Sequence, residues 1–434
     1  MKIAIAGYGV EGKSNYAYWA RDAANEITIV DEKLDPTSAD LAEGVQTLIG
    51  EGVFKRLDGF DVVVRTAGLA PRKIKTDGKV WSATNEFFAK SPAPIIGITG
   101  SKGKGTTSSL IASILEAAGK KVWLVGNIGI AALDVLDQIQ PDDIVVYELS
   151  SFQLWDLQRS PQVAVVLMIE QDHLDVHADM AEYVEAKAQI TRHQTNEDLL
   201  IFNADNEYSR WIGQSSVAQT ISYPSDKTAH VQGGVFYYNH EPLCSTTELR
   251  IPGAHNISNA VAAIDAVWRF TKDGEAMKNG FNAFKGLPHR LAYVATVNDV
   301  AYYDDSIATT PGSAIAALRA FNDTAKVIIL GGSYKGSDFS QLAHELTQHN
   351  AKALLIGDEA ARIAQALDEA CFADYEIVET AIEGVSAAEA VTRRAAELAQ
   401  PGSVVLLSPS AASFGLFKNY ADRGEQFIAA VNSL

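Results

Sequence analysis

Short runs of β-branched and other apolar residues alternate along the chain with longer segments whose apolar positions recur at helical spacing. Between Lys2 and Lys90 the runs Ile3–Ala6, Ile27–Asp31 and Asp61–Arg65 read as strands, and Ser14–Ala23 and Ser82–Lys90 as helices. A second series starts at Ile95 and continues through Val122–Val125, Ile144–Glu148, Val163–Ile169 and Leu199–Asn203, with a helix over Met180–Ile190. A stretch of β character follows at Ile221–Tyr223, Val235–Tyr238 and Leu249–Ile251, and then a helix from Asn256 to Phe270. Gly286-Leu287-Pro288-His289 breaks the periodicity and reads as a linker. A third series runs through Val300–Tyr303, Val327–Leu330, Ala353–Ile356, Ile377–Glu379 and Val404–Leu407. Strands alternating with helices predict parallel sheets covered on both faces. The expected architecture is therefore three α/β domains, at 1–90, 91–287 and 288–434, the middle one carrying a small extra β region.

Length supports the division, because 434 residues exceed what one hydrophobic core usually organises. Thirty-six basic against 54 acidic side chains give a net charge of −18, and no basic stripe interrupts it. Such a surface repels polyphosphate backbones, so nucleic acid is not an expected partner. Cys244 and Cys371 stand far apart without metal-ligand spacing, which points to a reducing compartment and away from disulfides or zinc. The opening residues read as a strand, so no cleavable leader is expected, and no apolar stretch approaches the roughly 18 residues that span a bilayer. A cytoplasmic, soluble protein with no membrane partner is expected.

The chemistry concentrates in residues 97–107, Gly-Ile-Thr-Gly-Ser-Lys-Gly-Lys-Gly-Thr-Thr, between the apolar run ending at Ile96 and the helical pattern Ser108, Leu110, Ile111, Ile114, Leu115. Strand, glycine-rich turn and helix in that order make a phosphate cradle, with Lys104 against the β and γ phosphates. The full GxxxxGK[ST] loop would need glycine at Ile98 and a hydroxyl at Gly105; the shorter G-x-x-G-K-G-T remains. Gly7-Tyr8-Gly9-Val10-Glu11-Gly12 follows the first strand, with Asp31 ending the next, a dinucleotide-type turn that tight glycine packing alone would also explain. Glu148 ends Ile144–Glu148, where a magnesium ligand belongs beside a phosphate loop. His173, in Glu170-Gln171-Asp172-His173-Leu174-Asp175, sits at the same edge among carboxylates.

Taken together, Gly100–Thr107, Gly126-Asn127-Ile128-Gly129, Glu148–Gln153, Asp172–Asp175 and Lys187 resemble the Mur ligases, ATP-dependent amide ligases of peptidoglycan precursor assembly. Leu287–Arg290, Asp305-Ser306, Ala308-Thr309, Gly331-Gly332, Lys335, Asp338-Phe339, Leu407–Pro409, Ser413, Phe417–Asn419 and Arg423-Gly424 extend the resemblance over the whole chain. It implies Rossmann-like first and last domains around a P-loop ATPase-like centre. The implied substrates are small molecules, UDP-N-acetylmuramoyl-L-alanine and D-glutamate, joined through an acyl phosphate in cell-wall biogenesis, and so in cell shape and division. The enzyme would work as a monomer.

Residue by residue, the resemblance places Gly100, Ser101, Lys102, Gly103, Lys104, Gly105, Thr106, Asn127, Asn256, Asn259, Arg290 and Asp305 at ATP. Thr106, Glu148, His173 and Lys187 would hold two Mg²⁺ ions, Lys187 as a carbamate; without the family, Lys187 reads as an exposed lysine. Gly9, Val10, Glu11, Asp31, Thr66, Ala67 and Gly68, with Asn127, Ser150, Ser151 and Gln153, would hold the uridine-linked substrate. Thr309, Lys335, Ser413 and Tyr420 would surround the amino acid, and the third domain would close on the hinge Gly286–Arg290. Three positions depart from the pattern. Gly105 leaves the hydroxyl contact to Thr106 or water, Met168 replaces an asparagine, and Ile307 replaces a lysine near D-glutamate, which weakens the case for an acidic amino acid. The rival readings are a ligase adding another amino acid, a folylpolyglutamate synthase-like enzyme, a P-loop NTPase that moves a partner, and an NAD(P)-dependent oxidoreductase resting on Gly7–Gly12 and Asp31.

Overall fold

The computed structural model describes every residue except 36–40, 42–43, 129, 175, 335 and 382–383, so Gly129, Asp175 and Lys335 lie outside the described residues. The first sheet, in the order β3-β2-β1-β4-β5, is wholly parallel. Its strands are β1 Lys2–Ala6, β2 Glu26–Asp31, β3 Gln46–Ile49, β4 Val62–Arg65 and β5 Lys79–Ser82. Helices α1 Val10–Trp19 and α2 Ala83–Lys90 accompany it. The second, also parallel, runs β11-β10-β9-β6-β8-β7. It comprises β6 Ile95–Thr99, β7 Val122–Gly126, β8 Ile144–Glu148, β9 Val163–Val166, β10 Leu199–Asn203 and β11 Gln219–Tyr223. Its helices are α3 Lys104–Ala117, α4 Ala132–Val135, α5 Ser151–Leu154, α6 Met180–Ala188 and α7 Glu207–Ser215. Strands β12 Ala229–Gln232, β13 Val235–Tyr238 and β14 Glu241–Ser245 form a small antiparallel sheet, followed by α8 Ala254–Val267 and α9 Gly274–Ala283.

The last sheet runs β15-β16-β20-β17-β18-β19 from Ala292–Val297, Val300–Asp304, Lys326–Gly331, Ala351–Ile356, Tyr375–Ile377 and Val404–Leu407 as β15 to β20, antiparallel only at β15·β16. Helices α10 Pro311–Ala320, α11 Ser340–Leu346, α12 Ala360–Glu369, α13 Ala387–Leu398 and α14 Tyr420–Asn432 accompany it. The chain divides into two compact units, Met1–Glu248 with Ile257–Ala283, and Leu249–Asn256 with Phe284–Leu434. The α/β class with parallel sheets is as the alternation predicts.

Several expected elements differ. Leu249–Ile251 is not a strand: Leu249 and Ile251 are buried, but they lie in loop, and the pairing belongs to β12 and to β14, an edge strand with Pro242. The first helix starts at Val10, four residues before Ser14, because Gly9 takes the N-cap position directly. The strand expected over Val163–Ile169 stops at Val166, and Ile377–Glu379 shifts to Tyr375–Ile377.

Two close approaches fix the central unit. A Cβ on Gly280 would lie 2.6 Å from Ile114 Cα, and Ser113 Oγ donates to Gly280 O at 2.8 Å, so α3 and α9 meet backbone to backbone. Buried Asp265 on α8 accepts from Ala229 N at 3.0 Å, while its Oδ2 meets no hydrogen-bond partner among the described residues, and burial pushes its carboxyl up to about 7. The unfolded carboxyl releases its proton near 3.8. Stability held by the neutral form is therefore full below about pH 4 and lost as pH rises through 7, about 1.4 kcal/mol per unit. Asp265→Asn should melt with the parent at or below pH 4 and several degrees above it at pH 8; a gap independent of pH would refute the assignment.

Candidate functional site

The central sheet order sets the geometry. Strand β6 runs between β8 and β9, with Ile98 in register with Glu148 and Thr99 with Val166, so the loop after β6 is flanked by Glu148 on one side and the Leu167–His173 segment on the other. Ligands of open parallel sheets bind outside such carboxyl ends. Gly100 (φ 153°) and Gly103 (φ 85°) have backbone that L-residues rarely adopt. A Cβ on Gly103 would meet Asn259 Oδ1 at 2.5 Å, and one on Gly100 would meet Leu167 Cβ at 2.8 Å. Gly103 caps α3 without a side-chain bond, leaving first-turn N–H groups to an anion. Gly103→Ala should cost about 1–2 kcal/mol in the left-handed backbone alone and weaken ATP binding further by displacing Asn259; an unchanged nucleotide affinity by calorimetry would count against the cradle.

Ser101 N donates to Met168 O at 2.8 Å, so the residue standing in place of asparagine serves through its carbonyl. Ser101 Oγ lies 2.8 Å from Tyr183 Oη and accepts from Glu170 N at 2.9 Å. Lys102 is exposed and pairs with Glu170 at 2.9 Å. Lys104 Nζ donates to Gly100 O and Ser101 O, both at 3.0 Å, while Gly105 and Thr106 are buried in the first turn of α3. Glu148 is buried, and Asn127 Nδ2 donates to its Oε1 at 3.4 Å.

Lys187 is 1 % exposed, against its reading as a surface lysine. Its Nζ donates to Gly100 O at 2.8 Å and lies 4.5 Å from the Tyr183 ring centroid. Burial pushes its ammonium well below the ordinary range, Lys104 lowers it further, and Asp172 and Glu148 oppose the drop. The amine is thus driven toward the neutral, nucleophilic form.

His173 is half exposed, in left-handed backbone (φ 54°), with its ring 4.9 Å from that of Phe152. Among the described residues no three His, Cys, Asp or Glu side chains are grouped to hold a metal. The donors present, the Glu148 carboxylate and the Thr106 hydroxyl beside the phosphate loop with His173 at the neighbouring strand end, nonetheless suit a hard, partly hydrated cation.

In the first sheet, a Cβ on Gly12 would lie 2.1 Å from Gly7 O, so α1 packs directly onto the turn after β1. Gly9 caps α1 without a side-chain bond and Val10 is 87 % exposed at its start. Glu11 Oε2 accepts from Ala67 N at 2.7 Å, and burial pushes its carboxyl up. Asp31 accepts from Tyr8 N at 2.9 Å and Lys33 N at 2.8 Å, holding the loop together. Thr66 Oγ1 donates to Ala6 O at 3.2 Å, and Gly68 faces open space. Ser150 and Gln153 bond each other in a capping box on α5, and Ser151 is buried with its Oγ 2.9 Å from His177 Nε2.

In the second compact unit Asp305 accepts from Leu291 N at 3.0 Å and Ser408 Oγ at 2.7 Å, and burial pushes its carboxyl up to about 7. His289 Nδ1 lies 2.6 Å from Asp304 Oδ2. Linker backbone is left-handed at Gly286, His289 and Leu291, and Arg290 is exposed. Asn256 Nδ2 donates to Pro252 O at 2.6 Å. Thr309 and Ile307 are half-buried, Ser413 buried and Tyr420 exposed. Arg423 is buried, bonded to Ser306 Oγ at 2.9 Å and Ser306 O at 2.7 Å.

Sequence reasoning missed Tyr183 and His177. Tyr183 precedes Lys187 by four residues, one helical turn on the same face of α6, and that spacing was the available signal.

Comparison with known proteins gives one family. A Mur ligase middle domain matches residues 98–267, and a Mur ligase glutamate ligase domain matches residues 289–411. The chain is 34 % identical to the UDP-N-acetylmuramoylalanine–D-glutamate ligase of Clostridium tetani, covering 100 % of this chain and 97 % of that protein. It is 35 % identical to the enzyme of that name from Acetivibrio thermocellus, over 100 % and 96 %. Among solved structures, the UDP-N-acetylmuramate-alanine ligase MurC of Thermotoga maritima superposes with a TM-score of 0.61 at 18 % identity, over 100 % of this chain and 99 % of that one. The folylpolyglutamate synthase of Mycobacterium tuberculosis complexed with ADP gives 0.58 at 16 % identity, over 79 % and 92 %. These two likenesses establish the fold.

Proposed function

The chain belongs to the Mur ligase family, ATP-dependent enzymes that form amide bonds in peptidoglycan precursor synthesis, and from that premise we propose that it joins UDP-N-acetylmuramoyl-L-alanine to D-glutamate. The observation that carries the proposal is the phosphate cradle of Gly100–Thr106, with Glu148 on the neighbouring strand end and buried Lys187 bonded to Gly100.

The uridine-linked carboxylate attacks the γ-phosphorus of ATP; a new O–P bond forms, the bond to ADP breaks, and an acyl phosphate results. The amine of D-glutamate then attacks the acyl carbon, phosphate leaves with the C–O electron pair, and the nitrogen gives up a proton. Both steps gather anions. Lys104 would offset that charge, a role the family resemblance also gives to Arg290. Mg²⁺, held by Thr106, Glu148, His173 and a carbamylated Lys187, would supply further neutralisation at the phosphates. A neutral Lys187 amine can take up CO₂, forming an N–C bond and releasing a proton, which turns a buried neutral amine into an anion. Asn256 and Asn259 would approach the adenine and Asp305 the ribose, while Asn127 would lie near the phosphates and the uridine-linked substrate. The turn at Gly9–Glu11, Asp31, Thr66–Gly68 and the Ser150–Gln153 segment would hold the uridine-linked substrate. Thr309, Lys335, Ser413 and Tyr420 would take the amino acid.

We keep the division 1–90, 91–287 and 288–434 as the uridine, ATP and amino-acid domains of a cytoplasmic monomer. Closure about Gly286–Arg290 would exclude water from the acyl phosphate. The test is phosphate release with ATP, UDP-N-acetylmuramoyl-L-alanine and a panel of D- and L-amino acids. Release should require all three substrates and be fastest with D-glutamate. Faster turnover with another amino acid would reassign the specificity, and release without the uridine substrate would end the ligase reading.

A further inference from the structure

Arg65 ends β4, and its side chain is fully buried. Its Nε donates to Asp156 Oδ2 at 2.8 Å and its Nη2 to Asp156 Oδ1 at 2.5 Å and Phe152 O at 3.0 Å. Its Nη1 reaches Thr66 O and Ala67 O at 3.3 Å and Leu69 O at 3.4 Å. Every N–H of the guanidinium is thereby engaged, the two on Nη1 by the loop after β4 and the three on Nε and Nη2 by the segment after β8. Seven residues on, Arg72 pairs with Glu182 Oε1 at 2.6 Å, donates to Val176 O at 2.5 Å and lies 5.6 Å from the Trp155 ring centroid. One loop of the first sheet thus grips both central segments, the one following Glu148 and the one linking His173 to Lys187.

We infer that Arg65 and Asp156 are positioning residues that set the register between the uridine-nucleotide loop and the Glu148 segment, with Arg72 and Glu182 doing the same for the His173–Lys187 segment. The inference rests on the ligase reading. In that reaction one end of a long substrate is held at Thr66–Gly68 while its carboxylate must reach the γ-phosphate. A fork that fixes the distance between those two places acts on the reacting geometry rather than on either binding site, and misplacement by about 1 Å can cost on the order of 100-fold. A lysine cannot replace the fork, because it has one nitrogen where the guanidinium has three.

The experiment compares full-length parent, Arg65→Lys and the double variant Arg65→Met/Asp156→Leu. The double variant removes both charges at once, so that neither is left buried alone. Steady-state phosphate release gives kcat and the KM of each substrate; calorimetry gives Kd for the uridine substrate without ATP; thermal melts show folding. Both variants should lose about 30- to 100-fold in kcat, with KM for ATP and Kd for the uridine substrate each within about threefold of the parent. A folded variant with kcat within twofold of the parent overturns the inference, as does a loss confined to KM or Kd. If Arg65→Lys fails to fold, the double variant decides alone. A parent that releases no phosphate with the uridine substrate sinks the ligase reading, and the inference with it; an active parent with indifferent variants sinks only the inference.

Discussion

Lys104→Ala should lower kcat by about 10³ or more, because two effects fall together. The ammonium that would face the β and γ phosphates is lost, a contact of the kind worth about 10²–10³ alone in a preorganised site. Lys104 also adds to burial, the larger cause, in keeping Lys187 from holding its proton, so its removal weakens the push toward the neutral amine that carbamate formation needs. Methionine at 104 should behave like alanine, since charge rather than volume is at issue. Phosphate-release kinetics with melting curves check this: a folded Lys104→Ala enzyme within tenfold of the parent would remove the loop from the chemistry.

Lys187→Arg should lose about 10²-fold or more in activity and melt at lower temperature. Guanidinium stays charged at every working pH, so it neither reacts with CO₂ nor sheds the cost of a cation in a fully buried place beside Lys104. The parent should gain activity when bicarbonate is added to degassed buffer, most clearly at mildly acidic pH where the amine is more protonated, while the variant should not respond. A ¹³C carbamate resonance from labelled CO₂, present in the parent and missing from the variant, is the direct readout. Full activity in Lys187→Arg would dismiss the carbamate.

What could be read from residue order was whatever depends on local spacing. The glycine-rich turn at Gly100–Gly103 between strand and helix and the strand-end place of Glu148 follow from glycine positions and the run Ile144–Glu148, and the structure has both. Leu249–Ile251 misled because apolar side chains are buried there without pairing, and β14 escaped notice because Glu241 and Pro242 open an edge strand that needs fewer ladder bonds. Lys187 was legible only through the family; its burial is set by Gly100, 87 positions away. Arg65 and Asp156 stand 91 apart, and no periodicity connects a strand end to a turn that follows a strand of another sheet. Long-range polar pairs of this kind carry no local signature.

The seat of α3 on α9 has a mechanical consequence. With Gly280 flush against the Ile114 backbone, the helix behind the glycine-rich loop cannot shift toward α9. Rearrangement of the loop during turnover is then left to the turn ahead of the helix, where Gly100 and Gly103 hold backbone that L-residues rarely adopt. Product release from this enzyme is therefore expected to be gated by a few peptide-plane rotations rather than by travel of the helix.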